Sequence, residues 1–335
     1  MKIKRLSKII TFSALTTAGI YFLNNHINER AVSRHLLETN SGNYYKWKNL
    51  NVYYTQKGTL GSPIILLHNL NPDFSSVEWY KIEDSLAKNH RVYSIDLLGC
   101  GRSDKPELTY TNFYFVQLLI DFIKSRICEK TFVVASGYSS SIALMASAYD
   151  ATKFSGLLFI NPPSLSKISQ VPTTQSKIAK KILEIPLIGS LVYNNIYARE
   201  AIDNRLIEKY LYNPFLMESS YTDRFYESAH LGNGNGRFLQ ASLSGNYINM
   251  NVEHALKNTP VYADILIGSA EKDSNFISRT WKRLKPDMRI YSIQQAYALP
   301  HFEQPDLTVS IIEKSIQSAF KKKMDSLQKK NKLTD

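Results

Sequence analysis

Cysteine is scarce in this 335-residue chain: Cys100 and Cys128 are the only two. They offer one pairing at most and lack the spacing of metal ligands, so neither a disulfide framework nor a zinc module is expected. Acidic residues are outnumbered, 29 against 41 Lys and Arg, which leaves a net charge of +12. No aromatic–basic platform accompanies that charge, which argues against a nucleic-acid partner. A phosphate loop is missing too, because Gly232-Asn-Gly-Asn-Gly236 has no strand before it. No metal or cofactor is expected. The stretch laid out like a membrane segment, Ile9–Leu23, is fifteen residues long, short of the roughly 17–25 that a relaxed span needs.

The positive charge collects at the two ends. Lys2, Lys4, Arg5 and Lys8 precede Ile9–Leu23, which carries no charge. A cleaved signal peptide has this layout, but no small-x-small site follows, since Asn24-Asn25-His26-Ile27-Asn28 comes next. A buried helix is a further alternative. The reading that fits best is an uncleaved signal anchor over residues 9–23, with the bilayer as partner. It would be a single pass, with the N-terminus inside and the body extracytoplasmic. Arg30, Arg34 and His35 on the far side run against that orientation. Residues 24–43 read as a polar linker, partly helical over Glu29–Asn40. At the other end Lys321, Lys322, Lys323, Lys329, Lys330 and Lys332 form a Lys-rich tail over 321–335, a like-charge block expected to be solvated and frayed.

Between the ends, apolar runs alternate with helical patterns. Tyr45–Thr55 reads as a hairpin. Pro63–His68, His90–Asp96, Phe154–Asn161, Val261–Gly268 and Arg289–Ile293 read as strands, and a further strand opens the stretch Thr131–Ala146. Solid apolar runs mark strands buried on both faces, and strands alternating with helices imply a mostly parallel, doubly wound sheet. The fold class is α/β. Trp79–Lys88, Thr111–Cys128 and Asp306–Phe320 read as helices. Thr131–Ala146 stands out: a strand, small residues, then an apolar helix.

Several motifs appear in a fixed order: His68-Asn69, Gly99-x-Gly101-x-Ser103-Asp104-x-Pro106, the turn in Thr131–Ala146, Ile160-Asn161-Pro162, Ile265–Gly268, and Pro300-His301-Phe302-Glu303-Gln304-Pro305. In that order they resemble the α/β-hydrolase fold family, in its esterase, epoxide hydrolase and dehalogenase-like branch with a helical cap. The resemblance implies a core over 44–165 and 251–320, interrupted by a cap over 166–250. Within the cap, Lys177–Glu184, Leu187–Ile196, Ala201–Tyr210 and Tyr221–Ser228 read as short helices.

The resemblance also implies where a Ser-His-acid triad would fall. The turn is the family's nucleophile elbow, G-x-S-x-G. Matching its helix on Ile142-Ala143-Leu144 puts the nucleophile position at Gly137, flanked by Ala135 and Ser139, and glycine has no nucleophile to offer. A second register puts Ser139 at the tip, between Gly137 and Ser141. The base position, three residues before His301, is Ala298, and His301 matches the family's second, structural histidine. An active variant would need His301 as base, Ser139 as nucleophile and Asp273 or Glu271 as acid; the alternative acid place holds Asn161. The oxyanion donors would be the backbone N–H groups of Leu70 and Tyr138, beside Asn69, and these survive side-chain substitution. Two lost triad positions imply a scaffold without hydrolysis, holding a small or lipid-like ligand at Asn69, Leu70, Gly137, Tyr138 and Ala298. The rival is an active hydrolase built on Ser139.

Overall fold

The computed structural model describes residues 2–38 and 42–334, with side chains for 16–38, 42–325 and 328. Among the described residues one sheet holds strands β1 (Gly42–Trp47), β2 (Leu50–Lys57), β3 (Pro63–Leu67), β4 (Arg91–Ile95), β5 (Thr131–Ser136), β6 (Phe154–Ile160), β7 (Ala263–Gly268) and β8 (Ile290–Ile293). Their order is β1-β2-β4-β3-β5-β6-β7-β8. β2 runs antiparallel to both its neighbours, and every pairing from β4 to β8 is parallel.

Helices fill the connections. They are α1 (Lys2–Val32), α2 (Glu83–Leu86), α3 (Asn112–Phe122), α4 (Ser139–Tyr149), α5 (Leu165–Ile168), α6 (Thr174–Glu184), α7 (Ile188–Ile196), α8 (Arg199–Lys209), α9 (Ser219–His230), α10 (Arg237–Ser244), α11 (Glu253–Asn258), α12 (Ser274–Leu284), α13 (Pro300–Glu303) and α14 (Pro305–Thr334). The predicted helix over Trp79–Lys88 is broken into a 3₁₀ turn at Ser76–Trp79 and the single turn of α2.

Period-two alternation sorts the central strands between two cores. Ile65, Leu67, Val133 and Ala135 pack on the α3–α4 side, while Ile64, Leu66, Phe132 and Val134 pack on the other face with Trp79 and Ile312. Each fully buried Val, Leu, Ile or Phe among them contributes roughly 1.5–3 kcal/mol of hydrophobic stabilisation. The cap has a core of its own, in which Tyr193, Tyr197, Tyr221 and Phe225 meet Phe74 and Phe302 of the body. The tyrosines of the cap therefore mainly pack.

Both ends differ from expectation. The 24–43 segment is not a free linker. Helix α1 continues through it to Val32 and docks on the cap: Asn24 Nδ2 donates to the Leu187 carbonyl and Asn194 Nδ2 donates to Asn24 Oδ1. Beyond the helix, the backbone N–H groups of Leu36 and Leu37 both donate to the Glu227 carboxylate, at 2.7 and 3.0 Å. Polar groups spaced along the segment find buried partners, and a hydropathy pattern does not register that. The Lys-rich tail is an extension of α14 to Thr334, with Lys322 paired to Asp287.

Among the described residues no helix is long and apolar enough to cross a membrane. Of the expected anchor over 9–23, residues 9–15 lie outside the residues whose side chains are described, which begin at 16.

Candidate functional site

The elbow forms where β5 runs into α4. Gly137 sits between them at φ +52, the left-handed region that glycine adopts at least cost. The tip of the turn is therefore Gly137, the first of the two registers. Ser139, the second, is the first residue of α4 and is fully buried. Its Oγ donates to the His68 carbonyl at 2.5 Å. Ser140 and Ser141 likewise donate to backbone carbonyls, of Ala135 and Tyr138. The serines tie the turn to its neighbours.

The space beside Gly137 is filled from across the sheet. A Cβ on Gly137 would meet Asn69 Oδ1 at 2.2 Å. That same oxygen accepts the Tyr138 N–H at 3.1 Å. The carboxamide thus satisfies one of the two N–H groups that would otherwise face a developing oxyanion. Asn69 is itself held, because its backbone N–H donates to Glu78 Oε2 at 2.7 Å. His68, next to it, is locked in one tautomer: Nε2 accepts the Leu97 N–H and Nδ1 donates to the Asn69 carbonyl. Burial lowers its pKa.

Ala298 follows β8 on a loop that is fixed on three sides. Asn161, at the end of β6, donates through Nδ2 to the carbonyls of Tyr297 and Ala298 at 2.8 and 2.9 Å, and its Oδ1 accepts the Gly268 N–H. The N–H groups of Ala298 and Leu299 donate to the Tyr210 carbonyl of the cap. Glu303 accepts the N–H of Tyr297 with one oxygen and those of Tyr212 and Asn213 with the other. Burial raises the Glu303 pKa against the pull of those donors.

His301 does not face the elbow serines. Its Nε2 lies 3.0 Å from Glu78 Oε1, off the N–H line, and its ring packs at 4.5 Å on Trp79. It is wholly buried and joins the last loop to the β3 loop through the residue that also holds Asn69. The Ser139–His301 hydrogen bond that an active variant would need is therefore not formed: Ser139 donates to the His68 carbonyl, while His301 packs on Trp79 beside Glu78.

The positions that do converge are Gly137, Ala298, Glu271 and Asp273. With Asn69, Tyr138, Asn161, Lys167, Lys209 and Tyr210 they line one cleft of about 270 Å³ at the carboxyl ends of the strands, where open parallel sheets place their ligands. Glu271 is half-buried, and burial followed by repulsion from Asp273 raises its pKa. Leu70 lies in a second hollow, of about 250 Å³. Asn69, Tyr138 and Tyr210 border both hollows. Lys167, Lys209 and the Tyr210 carbonyl were missed from the sequence because they come from the cap, whose docking no local pattern encodes.

The Gly-x-Gly-x-Ser-Asp motif proves to be scaffolding. Burial opposes ionisation of Asp96, but Arg102 beside it holds the carboxyl at about 2. Asp96 also accepts the Ser76 and Arg102 backbone N–H groups. Gly101, at φ +47, leaves room for that carboxylate, since a Cβ there would lie 2.3 Å from Asp96 Oδ2.

A family model described as the alpha/beta hydrolase family matches residues 64–311. Mesoderm-specific transcript protein of Mus musculus is 43% identical over 70 residues, which is 20% of this chain and 20% of that protein. An epoxide hydrolase solved without ligand superposes with a TM-score of 0.68 at 16% identity, over 83% of this chain and 98% of its own. A structure described as a membrane phospholipase A and a bacterial virulence factor gives a TM-score of 0.66 at 18% identity, over 95% of this chain and 99% of that one. At such identities the structural likeness concerns the fold.

Proposed function

The chain belongs to the α/β-hydrolase family, and within it we propose a member that binds rather than hydrolyses, held at a membrane by its N-terminal helix. The observation that carries this reading is the Asn69 oxygen standing where a nucleophile on residue 137 would project and taking up the Tyr138 N–H. Acyl transfer needs a nucleophile, a base in contact with it and free oxyanion donors. At this elbow the tip is Gly137, the base position is Ala298, and one donor is already engaged.

What the cleft retains suits recognition. Lys167, Lys209, Glu271 and Asp273 line it together with Tyr138 and Tyr210, and Lys167 Nζ lies 5.5 Å from the Tyr138 ring centre. Cations and carboxylates at one opening, beside aromatic surface, fit a small polar ligand or the head of a lipid-like one. The membrane part of the reading rests on the uncharged Ile9–Leu23 stretch behind its basic head, and on Tyr21, Phe22 and Leu23, which stand exposed on α1 just before it docks.

The test is an esterase assay of the purified chain on short and long acyl esters, with a serine-reactive fluorophosphonate in parallel. No turnover above buffer and no labelling are expected. Robust turnover with the label on Ser139 overturns the proposal in favour of an active hydrolase.

A further inference from the structure

We propose that the elbow between α6 and α7 is a docking surface for an anionic lipid bilayer. The inference rests on the membrane reading above and adds a second contact to it. On α6, Ile178 and Ile182 stand at i and i+4 on one face of the helix, and Ile185 follows as its C-cap. After Pro186 and Leu187, Ile188 and Leu191 continue the stripe one turn apart on α7. All five are exposed, Ile178 by 54% and Ile188 by 50%. Single exposed aliphatics need no explanation, but five on one corner do. Folding does not use them, since it is Leu183 on the opposite side of α6 that enters the cap core.

Two further observations select a bilayer as the occupant. Lys177 and Lys181 flank the stripe, and neither has an ion-pair partner among the described residues, whereas Lys180 is paired with Glu184. Apolar side chains beside uncompensated lysines are the chemistry of a helix lying in the headgroup layer of acidic lipid. The second is continuity. Asn24 of α1 is bonded to Leu187 of the elbow and to Asn194 of α7, so the N-terminal helix leaves the body at this corner. It does so with Tyr21, Phe22 and Leu23 exposed, Phe22 by 69%. The elbow therefore lies where the apolar N-terminal segment departs, and one surface would meet both.

The test uses the full chain with Cys128→Ser and an environment-sensitive fluorophore on Ile182→Cys, Cys100 being buried. A second site, Leu60→Cys, is exposed in the β2–β3 turn at the amino ends of the parallel strands, away from the cap. Vesicles are phosphatidylcholine with or without phosphatidylglycerol. The expected result is flotation with the acidic vesicles and a blue shift at 182 but not at 60. Lys177→Glu with Lys181→Glu is expected to weaken the 182 response at least about tenfold while leaving the melting curve unchanged. Flotation without a shift at 182 overturns the docking surface and leaves the N-terminal anchor standing. Absence of flotation overturns both. A shift that grows with protein concentration in the absence of vesicles identifies a second copy as the occupant and also overturns the proposal.

Discussion

Asn69 Oδ1 occupies the volume that a side chain on Gly137 would enter, 2.2 Å from the Cβ position, and it is oriented there by the Tyr138 N–H. Gly137→Ser alone is therefore expected to be destabilised by roughly 1–3 kcal/mol, from a left-handed φ at a non-glycine residue together with the clash. Adding Asn69→Gly removes the clash and should recover much of that loss in denaturant melts. Adding Ala298→His to the pair puts an imidazole beside the same cleft, with Glu271 and Asp273 in reach of the loop. Fluorophosphonate labelling at position 137 in the triple variant, and in neither Gly137→Ser nor the double variant, is the expected outcome.

Asn161 makes three hydrogen bonds that hold the 297–298 loop to the ends of β6 and β7. At roughly 1 kcal/mol each, Asn161→Ala should cost about 3 kcal/mol. The loss should be local: hydrogen exchange at Tyr297–Leu299 should speed up well before that of β5 does.

Acid weakens the fold in two windows. Burial keeps His230 neutral, with its pKa lowered to about 4, against about 6.5 in an unfolded chain. Between those values the unfolded state binds the extra proton, so stability falls as pH drops from 6.5 to 4, by up to ~3 kcal/mol. Asp96, at about 2 in the fold, is also held at a depressed value, and its contribution is lost only below its ordinary range near 3.8. Chemical denaturation of His230→Asn against pH should show the first slope reduced, the remainder coming from buried His68, and the second kept.

Glu227 is buried and receives two backbone N–H groups of the segment after α1. Glu227→Ala leaves both donors without a partner, at a cost of about 2–3 kcal/mol. Exchange at Leu36 and Leu37 should rise, and residues 33–38 should become a protease site, while activity-independent probes of the sheet stay unchanged.

The strands were legible because burial on both faces writes itself as solid apolar runs, as in Ile64–Leu67 and Val133–Ala135. Matching the helix on Ile142-Ala143-Leu144 points to Gly137, which stands between β5 and α4 at φ +52. What was not legible depends on tertiary contact. Nothing local to Asn69 says that its carboxamide reaches Tyr138. Asn24, Leu36 and Leu37 read as linker, because the groups that receive them are some 160 to 190 residues further on. His301 reads as the family's structural histidine, with a base role as the alternative, and nothing local to it names Glu78 and Trp79 as its neighbours.

The three sequence-distant contacts of the 296–303 segment, with Asn161, Tyr210 and Glu78, also bear on descent. Together with the Asn69–Gly137 fit they make the order of substitutions matter. A serine arriving first at 137 meets an occupied volume. A glycine arriving first at 69 strips the Tyr138 N–H of its acceptor and yields nothing to select. A histidine arriving first at 298 has no hydroxyl to deprotonate. Each single step toward a triad at these positions is neutral or harmful by itself, so a triad there needs the three substitutions together.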